Sequence, residues 1–179
     1  IINAQGRVTF ERGVTLGNGG DLIINGANIV EFQETIELQG GGNLEITSNR
    51  ISLSDTVVGT GAVLLRPTVP GRTINVAGPP GVVELDSLVI TRAELSSFGL
   101  DWNSITIGRE VAGHADPAAG LVRMGGDTAD QFTFLHPVTV FGGDIEVLDI
   151  SDPQRILRTL HDLALFAHGN IEIANEVRV

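Results

Sequence analysis

The chain has 179 residues, enough for one domain with a sizeable core. Its net charge of −11 repels phosphate backbones and anionic lipid, which argues against nucleic-acid partners, and no apolar run approaches the roughly 18 residues needed to span a membrane. Cys and Lys are absent, which excludes disulfides, thiolate zinc sites and any Lys-bearing phosphate loop.

In chain order, the first feature is a repeat. Residues 1–51 match themselves at an offset of 22 without a gap. Ile1, Ile2 and Asn3 recur as Ile23, Ile24 and Asn25; Val8 and Phe10 as Val30 and Phe32; Val14 and Leu16 as Ile36 and Leu38. Gly19, Gly20, Asp21, Leu22 and Ile24 recur as Gly41, Gly42, Asn43, Leu44 and Ile46, and Ile29 as Ile51. Within a unit the apolar residues alternate at i and i+2, so each pair is a short strand with one buried face. One unit cannot bury that face alone, whereas stacked copies form a continuous core. The spacing predicts an all-β fold: a right-handed parallel β-helix, or solenoid, with three short strands per turn of about 22 residues and one or two short helical insertions. Eight turns would rise about 40 Å. A β-sandwich or propeller is the competing architecture, with Asn25-Gly26 as a candidate hairpin turn.

Regular turns are expected over 1–54. Irregular turns with loops follow over 55–126, where Val63/Leu65, Ile74/Val76, Val83/Leu85, Leu88/Ile90, Ile105/Ile107 and Leu121/Val122 are strand-like and Pro67, Pro70, Pro79, Pro80 and Pro117 mark loops. Thr91 and Glu94 make a capping box, predicting one helical turn that ends at Gly99. The segment from Arg109 to Gly120 is expected to bulge from one face. Regular turns return over 127–179. There Phe132, Phe134, Val138, Val140, Gly142, Gly143, Asp144, Ile145 and Val147 align with Val8, Phe10, Val14, Leu16, Gly19, Gly20, Asp21, Leu22 and Ile24. Ser151-Asp152-Pro153-Gln154 predicts a short helix near 153–161, with Ile156, Leu157 and Leu160 on one face. Gly169-Asn170-Ile171-Glu172-Ile173 repeats Gly42-Asn43-Leu44-Glu45-Ile46. The whole of 1–179 reads as a single β-helix segment, expected to be a piece of a longer chain.

These residues resemble a known family. Val-Thr-Phe at 8–10, Val-Thr-Leu at 14–16, Gly-Gly-Asp-Leu-Ile-Ile at 19–24 and the closing DLALFAHGNIEIANEVRV are similar to filamentous-haemagglutinin-like exoproteins and to the β-strand repeats of giant bacterial surface adhesins. LVITRAELSSFGLDWNSITIG at 88–108 looks like a recurring segment of the same proteins. The resemblance implies secretion as a long rod, an extracellular or cell-surface location, and roles in adhesion or cell contact. It brings no functional residue to any position.

Chemistry is sparse. Asp21, Asn43 and Asp144 occupy equivalent repeat positions, so a cation or sugar site on that ladder competes with turn chemistry. The four His (His114, His136, His161 and His168) show no metal spacing and are expected on the surface or in turns. No nucleophile elbow is present, and the calcium nonapeptide spacing is not met by Gly17-Asn18-Gly19-Gly20-Asp21-Leu22. Trp102 is expected to be structural, with carbohydrate stacking as the alternative. No catalytic, cofactor-binding or metal-binding residue is assigned, and no enzyme activity is expected. The leading expectation is a structural or adhesive rod segment whose ends are covered by more of the same chain or by head-to-tail subunits, with a surface receptor or glycan as a further partner. The competing expectations are a carbohydrate-active β-helix lyase or hydrolase, marked by carboxylates on neighbouring turns, and a binding module using loops 66–80 and 108–120 with Trp102 and Phe98.

Overall fold

The computed structural model describes residues 1–78, 87–125, 132–148, 157–174 and 177–178. The alternating apolar pairs form strands that pair in parallel with strands well away in sequence. Ile2–Asn3, Leu22–Ala27, Leu44–Ser48, Ala62–Arg66, Ser104–Gly108, Val138–Gly142 and Leu163–Ala167 make one seven-stranded sheet in that order. Its register aligns Ile2, Ile24, Ile46, Leu65, Ile107, Val140 and Leu165 in a single inward column. The five interior members of that column are fully buried. Each contributes about 1.5–3 kcal/mol relative to an exposed side chain.

A second ladder begins with Arg7–Phe10, Ile29–Phe32 and Ile51–Leu53. A single bridge between Arg50 and Val89 joins it to a five-stranded sheet. That sheet runs Ser87–Thr91, Thr73–Gly78, Val122–Met124, Ile145–Val147, Ile171–Ile173. A third starts with Val14–Leu16, Ile36–Leu38 and Val57–Gly59, and a bridge from Val57 to Phe98 continues it. Phe132–Phe134, Leu157–Thr159 and Val177–Arg178 form a further three-stranded sheet. The core between the sheets is one cluster of Ile, Val, Leu and a few aromatic rings. The fold is all-β and made of stacked parallel sheets, an arrangement compatible with a β-helix or solenoid. Parallel pairing throughout these sheets rules out the sandwich and propeller alternatives, which need antiparallel neighbours.

The second ladder contains a strand exchange. After Ala62–Arg66 the chain first lays down Thr73–Gly78, and only then Ser87–Thr91, which sits between it and the earlier strands. The next crossing, from Gly108, must therefore pass Thr73–Gly78 to pair with its far side as Val122–Met124. That longer route holds the one antiparallel pair among the described residues, Glu110–Val111 with His114–Ala115. The expected bulge from Arg109 to Gly120 is thus a hairpin. Ala112 (φ 52°) and Gly113 (φ 81°) form its turn, and both positive φ values suit a two-residue hairpin loop. His114–Ala115 packs against Val138–Gly142 and Leu163–Ala167. Phe141, on the outer side of its strand, is buried and stacks on Phe166, with ring centroids 5.1 Å apart.

The helix Arg92–Ser97 (α1) is capped as expected by Thr91, and both halves of the capping box are formed. Its buried Leu95 turns the helix onto the core.

Several expectations need correction. Ile51 pairs with Val30, not Ile29, because a bulge between Ile24 and Ala27 absorbs one residue and the offset falls from 22 to 21. The late copy is out of phase by one strand. Val138 and Val140 lie in the sheet of Leu22 and Ile24, not in that of Val14 and Leu16. Ile145 and Val147 belong to the second ladder. Gly169–Ile173 likewise continues that ladder, whereas Leu44 and Ile46 lie in the seven-stranded sheet. Leu157–Thr159, placed in the expected helix near 153–161, is a strand paired with Phe132–Phe134. Residues 149–156, which carry the capping pattern, and Val83/Leu85 fall outside the described residues.

Candidate functional site

The Gly-Gly-Asp turns place a short polar side chain at the entrance to a strand. Asp21 Oδ1 accepts from the Asn43 backbone N–H at 2.7 Å and from Asn43 Nδ2 at 3.0 Å. Asn43 Oδ1 in turn accepts from the Ala62 N–H at 2.8 Å. The three form a polar ladder climbing one corner. Asp144 is not part of it. Asp144 Oδ1 accepts from the Asn170 N–H at 2.7 Å, so it makes the same contact at the entrance to the second ladder. These side chains are committed to the backbone of the next strand, not to their own turn. No group of three or more His, Asp or Glu able to hold a metal occurs among the described residues.

A second corner carries Asn28, Asn49 and Thr68, joined side chain to side chain, with Asn49 Nδ2 donating to Asn28 Oδ1 at 2.9 Å and Thr68 Oγ1 donating to Asn49 Oδ1. Arg109 closes the series. Its Nη2 donates to the carbonyls of Pro67 and Thr68, both at 3.1 Å, while Nε is buried without a partner. Burial pulls this guanidinium below its ordinary value, the nearby Arg66 adds to the effect and Asp116 opposes it. Arg66 itself is paired with Glu45 and donates to Thr47 Oγ1 at 2.9 Å. Arg109 therefore anchors the hairpin to the preceding loop, a role that its place in the sequence does not announce.

Trp102 takes the structural place expected of it, and the two aromatics that a binding module could have used are not exposed. Phe98 and Trp102 are buried. Trp102 Nε1 donates to the Val57 carbonyl at 2.9 Å, and the indole lies over Gly59. His136 is also buried, against the surface or turn position expected for it, whereas His114, His161 and His168 are exposed. Its Nδ1 lies 3.3 Å from the Trp102 carbonyl and its Nε2 is enclosed without a partner. The ring lines a small cavity with Leu95, Ile105 and Phe134. One packed unit of α1, Trp102 and His136 thus occupies the ground between Val57–Gly59 and Phe132–Phe134.

One carboxylate pair meets the criterion set for an enzyme. Glu146 and Glu172 are register partners on adjacent strands and both face outward. Ordinary strand spacing sets their backbones about 4.8 Å apart. Glu146 Oε2 also accepts from Arg123 Nε at 3.1 Å. The pair stands on an open sheet face. On α1, burial pushes the Glu94 carboxyl above its ordinary value, against the lowering effect of the Thr91 N–H and hydroxyl and of the Arg50 charge.

No family model matches this chain, and neither a curated protein nor a solved structure matches it.

Proposed function

We propose that this chain is a segment of a right-handed parallel β-helix with three strands per turn, and that it serves as a structural or adhesive rod element of a secreted or cell-surface protein. The observation that carries the reading is the unbroken in-register ladder from Ile2 to Leu165. Such a ladder stiffens one dimension and leaves loops to project from it. The side-chain chemistry is consistent with this use. Asp21, Asn43 and Asp144 each hold the entrance to the next strand, Arg109 holds the hairpin to the loop before it, and Trp102 holds its loop to Val57. The likeness to filamentous-haemagglutinin-like exoproteins belongs to the same reading, as do an extracellular location and a receptor or glycan as target.

Limited proteolysis with mass mapping tests the rod. Among the described residues, cleavage is expected at 66–72 and 109–121, with the stacked strands left intact. Early cleavage inside Leu44–Ser48 or Ser104–Gly108 would overturn it. Beads coated with the chain should then adhere to cells or glycan surfaces more than uncoated beads do.

Glu146 and Glu172 favour a second reading, a glycan-cleaving β-helix, because two outward carboxylates on adjacent strands are the residue types a retaining glycosidase pairs across its scissile bond. Release of reducing ends from a polysaccharide panel, lost in Glu172→Gln, would establish it. Their open face and the engagement of Glu146 by Arg123 speak against it.

A further inference from the structure

The segment 92–103 hangs on a few bonds, and His136 makes one of them. The Val57 carbonyl accepts both the Trp102 indole N–H and the Gly99 N–H, each at 2.9 Å. The Asn103 N–H donates to the Gly61 carbonyl, also at 2.9 Å. On the other side the His136 ring, only 3% exposed, sets Nδ1 3.3 Å from the Trp102 carbonyl. Register places His136 in the connection between the turns that lead into Ser104–Gly108 and Leu163–Ala167, so chain lies on both sides of it. The following residue is pinned as well, the Pro137 carbonyl accepting from the Ile105 N–H at 2.9 Å.

A carbonyl oxygen can only accept, so Nδ1 carries the proton of the ring and Nε2 is bare. Nε2 is enclosed and has no hydrogen-bond partner. The cavity beside the ring is lined by Leu95, Ser96, Ile105, Thr133, Phe134 and Leu135, none of them charged. Among the described residues, the charged groups on the surrounding elements are Arg92 and Glu94 on α1, Asp101 beside Trp102, Arg109 after Ser104–Gly108, and His161 and Asp162 in the next turn. Glu94 is engaged by Thr91, Arg109 by the Pro67 and Thr68 carbonyls, and Asp101, His161 and Asp162 are exposed. None of the six gives Nε2 an acceptor. The packing thus provides for a ring with one proton. A second would bury a charged N–H with nothing to receive it.

We propose that His136 is an acid-operated latch on the unit formed by α1 and Trp102. When Nε2 takes up a proton, the ring must turn that N–H toward water and leave its place against the Trp102 carbonyl. The segment 92–103 then loosens from Val57 and Gly61, and Leu95, Phe98 and Trp102, now buried, become accessible. The proton comes from solvent and returns to it as pH is raised, so the change is reversible. The open state binds a proton that the closed state does not, so the closed state is lost as pH falls. The stacked strands on either side stay paired, and the latch is independent of the rod reading above.

Trp102 is the only Trp in the chain, so its fluorescence reports on this unit alone. Emission and acrylamide quenching of the intact chain are followed from about pH 8 to about pH 5, the range in which an imidazole changes charge. Wild type is expected to shift to longer wavelength with a several-fold rise in quenching, to keep its far-UV strand signal, and to recover when the starting pH is restored. His136→Gln, whose amide can still donate to the Trp102 carbonyl but takes up no proton, should show no shift. His161→Gln should behave as wild type. Proton NMR of the wild-type His136 ring, identified by its contacts with Ile105 and Phe134, should show the ring charging together with the emission change. If His136→Gln is already open at the starting pH, that coincidence decides. Emission that stays constant over the series, that shifts equally in a closed His136→Gln, or that shifts only with loss of the strand signal would overturn the latch. So would a His136 ring that charges while Trp102 stays shielded.

Discussion

Trp102 donates its indole N–H to the backbone carbonyl of Val57, 45 residues earlier, at 2.9 Å. The bond fastens the irregular middle of the chain onto the last regular strand of the third ladder. The fit beneath the ring is close: a Cβ added to Gly59 would fall within the indole. Gly59→Ala is therefore expected to cost about 1–3 kcal/mol through overpacking, and Trp102→Ala about 3–5 kcal/mol through the lost volume. In a Trp102→Phe background the Gly59→Ala cost should shrink, because the smaller ring frees the contact. Urea denaturation midpoints of the four chains check this, and simple additivity would count against the contact.

Stability should also report on Glu94. Its folded-state pKa is raised, chiefly by burial. The folded state then holds its proton at pH values where the unfolded state has released it. Stability is thus greatest below the unfolded value and falls as pH rises through the raised folded value. Glu94→Gln keeps an acceptor for the Thr91 N–H but carries no charge to desolvate. The variant should gain stability relative to wild type as pH is raised from acid to neutral. Thr91→Ala removes the hydroxyl acceptor of the Glu94 N–H and should lose about 1 kcal/mol at acid pH, and more once Glu94 ionises, because the same hydroxyl donates to its carboxylate. Thermal melts over a pH series separate the two effects, and a flat Gln-minus-Glu difference would contradict the first.

The corner ladder makes a prediction about cations. Asn43 links Asp21 below to Ala62 above, so Asn43→Ala leaves the Ala62 N–H to solvent and should cost about 1 kcal/mol. If Asp21 and Asn43 serve only as this link, calcium will not move the denaturation midpoint of wild type. A calcium-dependent rise that Asn43→Ala abolishes would instead assign the ladder to a metal.

The first stretch is legible because an offset of 22 places Ile2, Val8, Phe10, Val14 and Leu16 beside Ile24, Val30, Phe32, Ile36 and Leu38. The pattern became unreliable wherever position along the stack mattered. The bulge after Ile24 shifts the pairing by one residue, and a single added residue leaves no mark in an apolar–polar alternation. The phase of the late copy is hidden because apolar-x-apolar strands look alike in every sheet. Val138/Val140 could be assigned to its sheet only through its neighbours Ile105/Ile107 and Leu163/Leu165. The exchange of Thr73–Gly78 with Ser87–Thr91 is a choice of level, which periodicity does not encode. The burial of His136 depends on the packing of Trp102 beside it, a contact spanning 34 residues. The capping box at Thr91 and Glu94 was readable because it is local.

The hairpin at 109–116, like Ala77 (φ 54°) near the end of its strand, tolerates a residue poorly suited to its backbone. Ala112 sits at φ 52° and Gly113 at φ 81°, both in the left-handed region. Gly113 has no Cβ to strain, whereas Ala112 bears the cost of that conformation, and Asn is the residue that most readily shares it. The turn is exposed, so a substitution at 112 meets little else. Ala112→Asn should stabilise the hairpin by about 0.5–1 kcal/mol, and Gly113→Val should destabilise it by at least as much. The hairpin's second strand packs over the sheet that carries Phe141 and Phe166, so the effect should extend beyond the loop. Hydrogen exchange is the informative measurement. The Ala112→Asn chain should show slower exchange at Glu110–Ala115 and across Val138–Gly142, and Gly113→Val should show faster exchange at both. A change confined to the tip would mean that the hairpin does not brace the sheet beneath it.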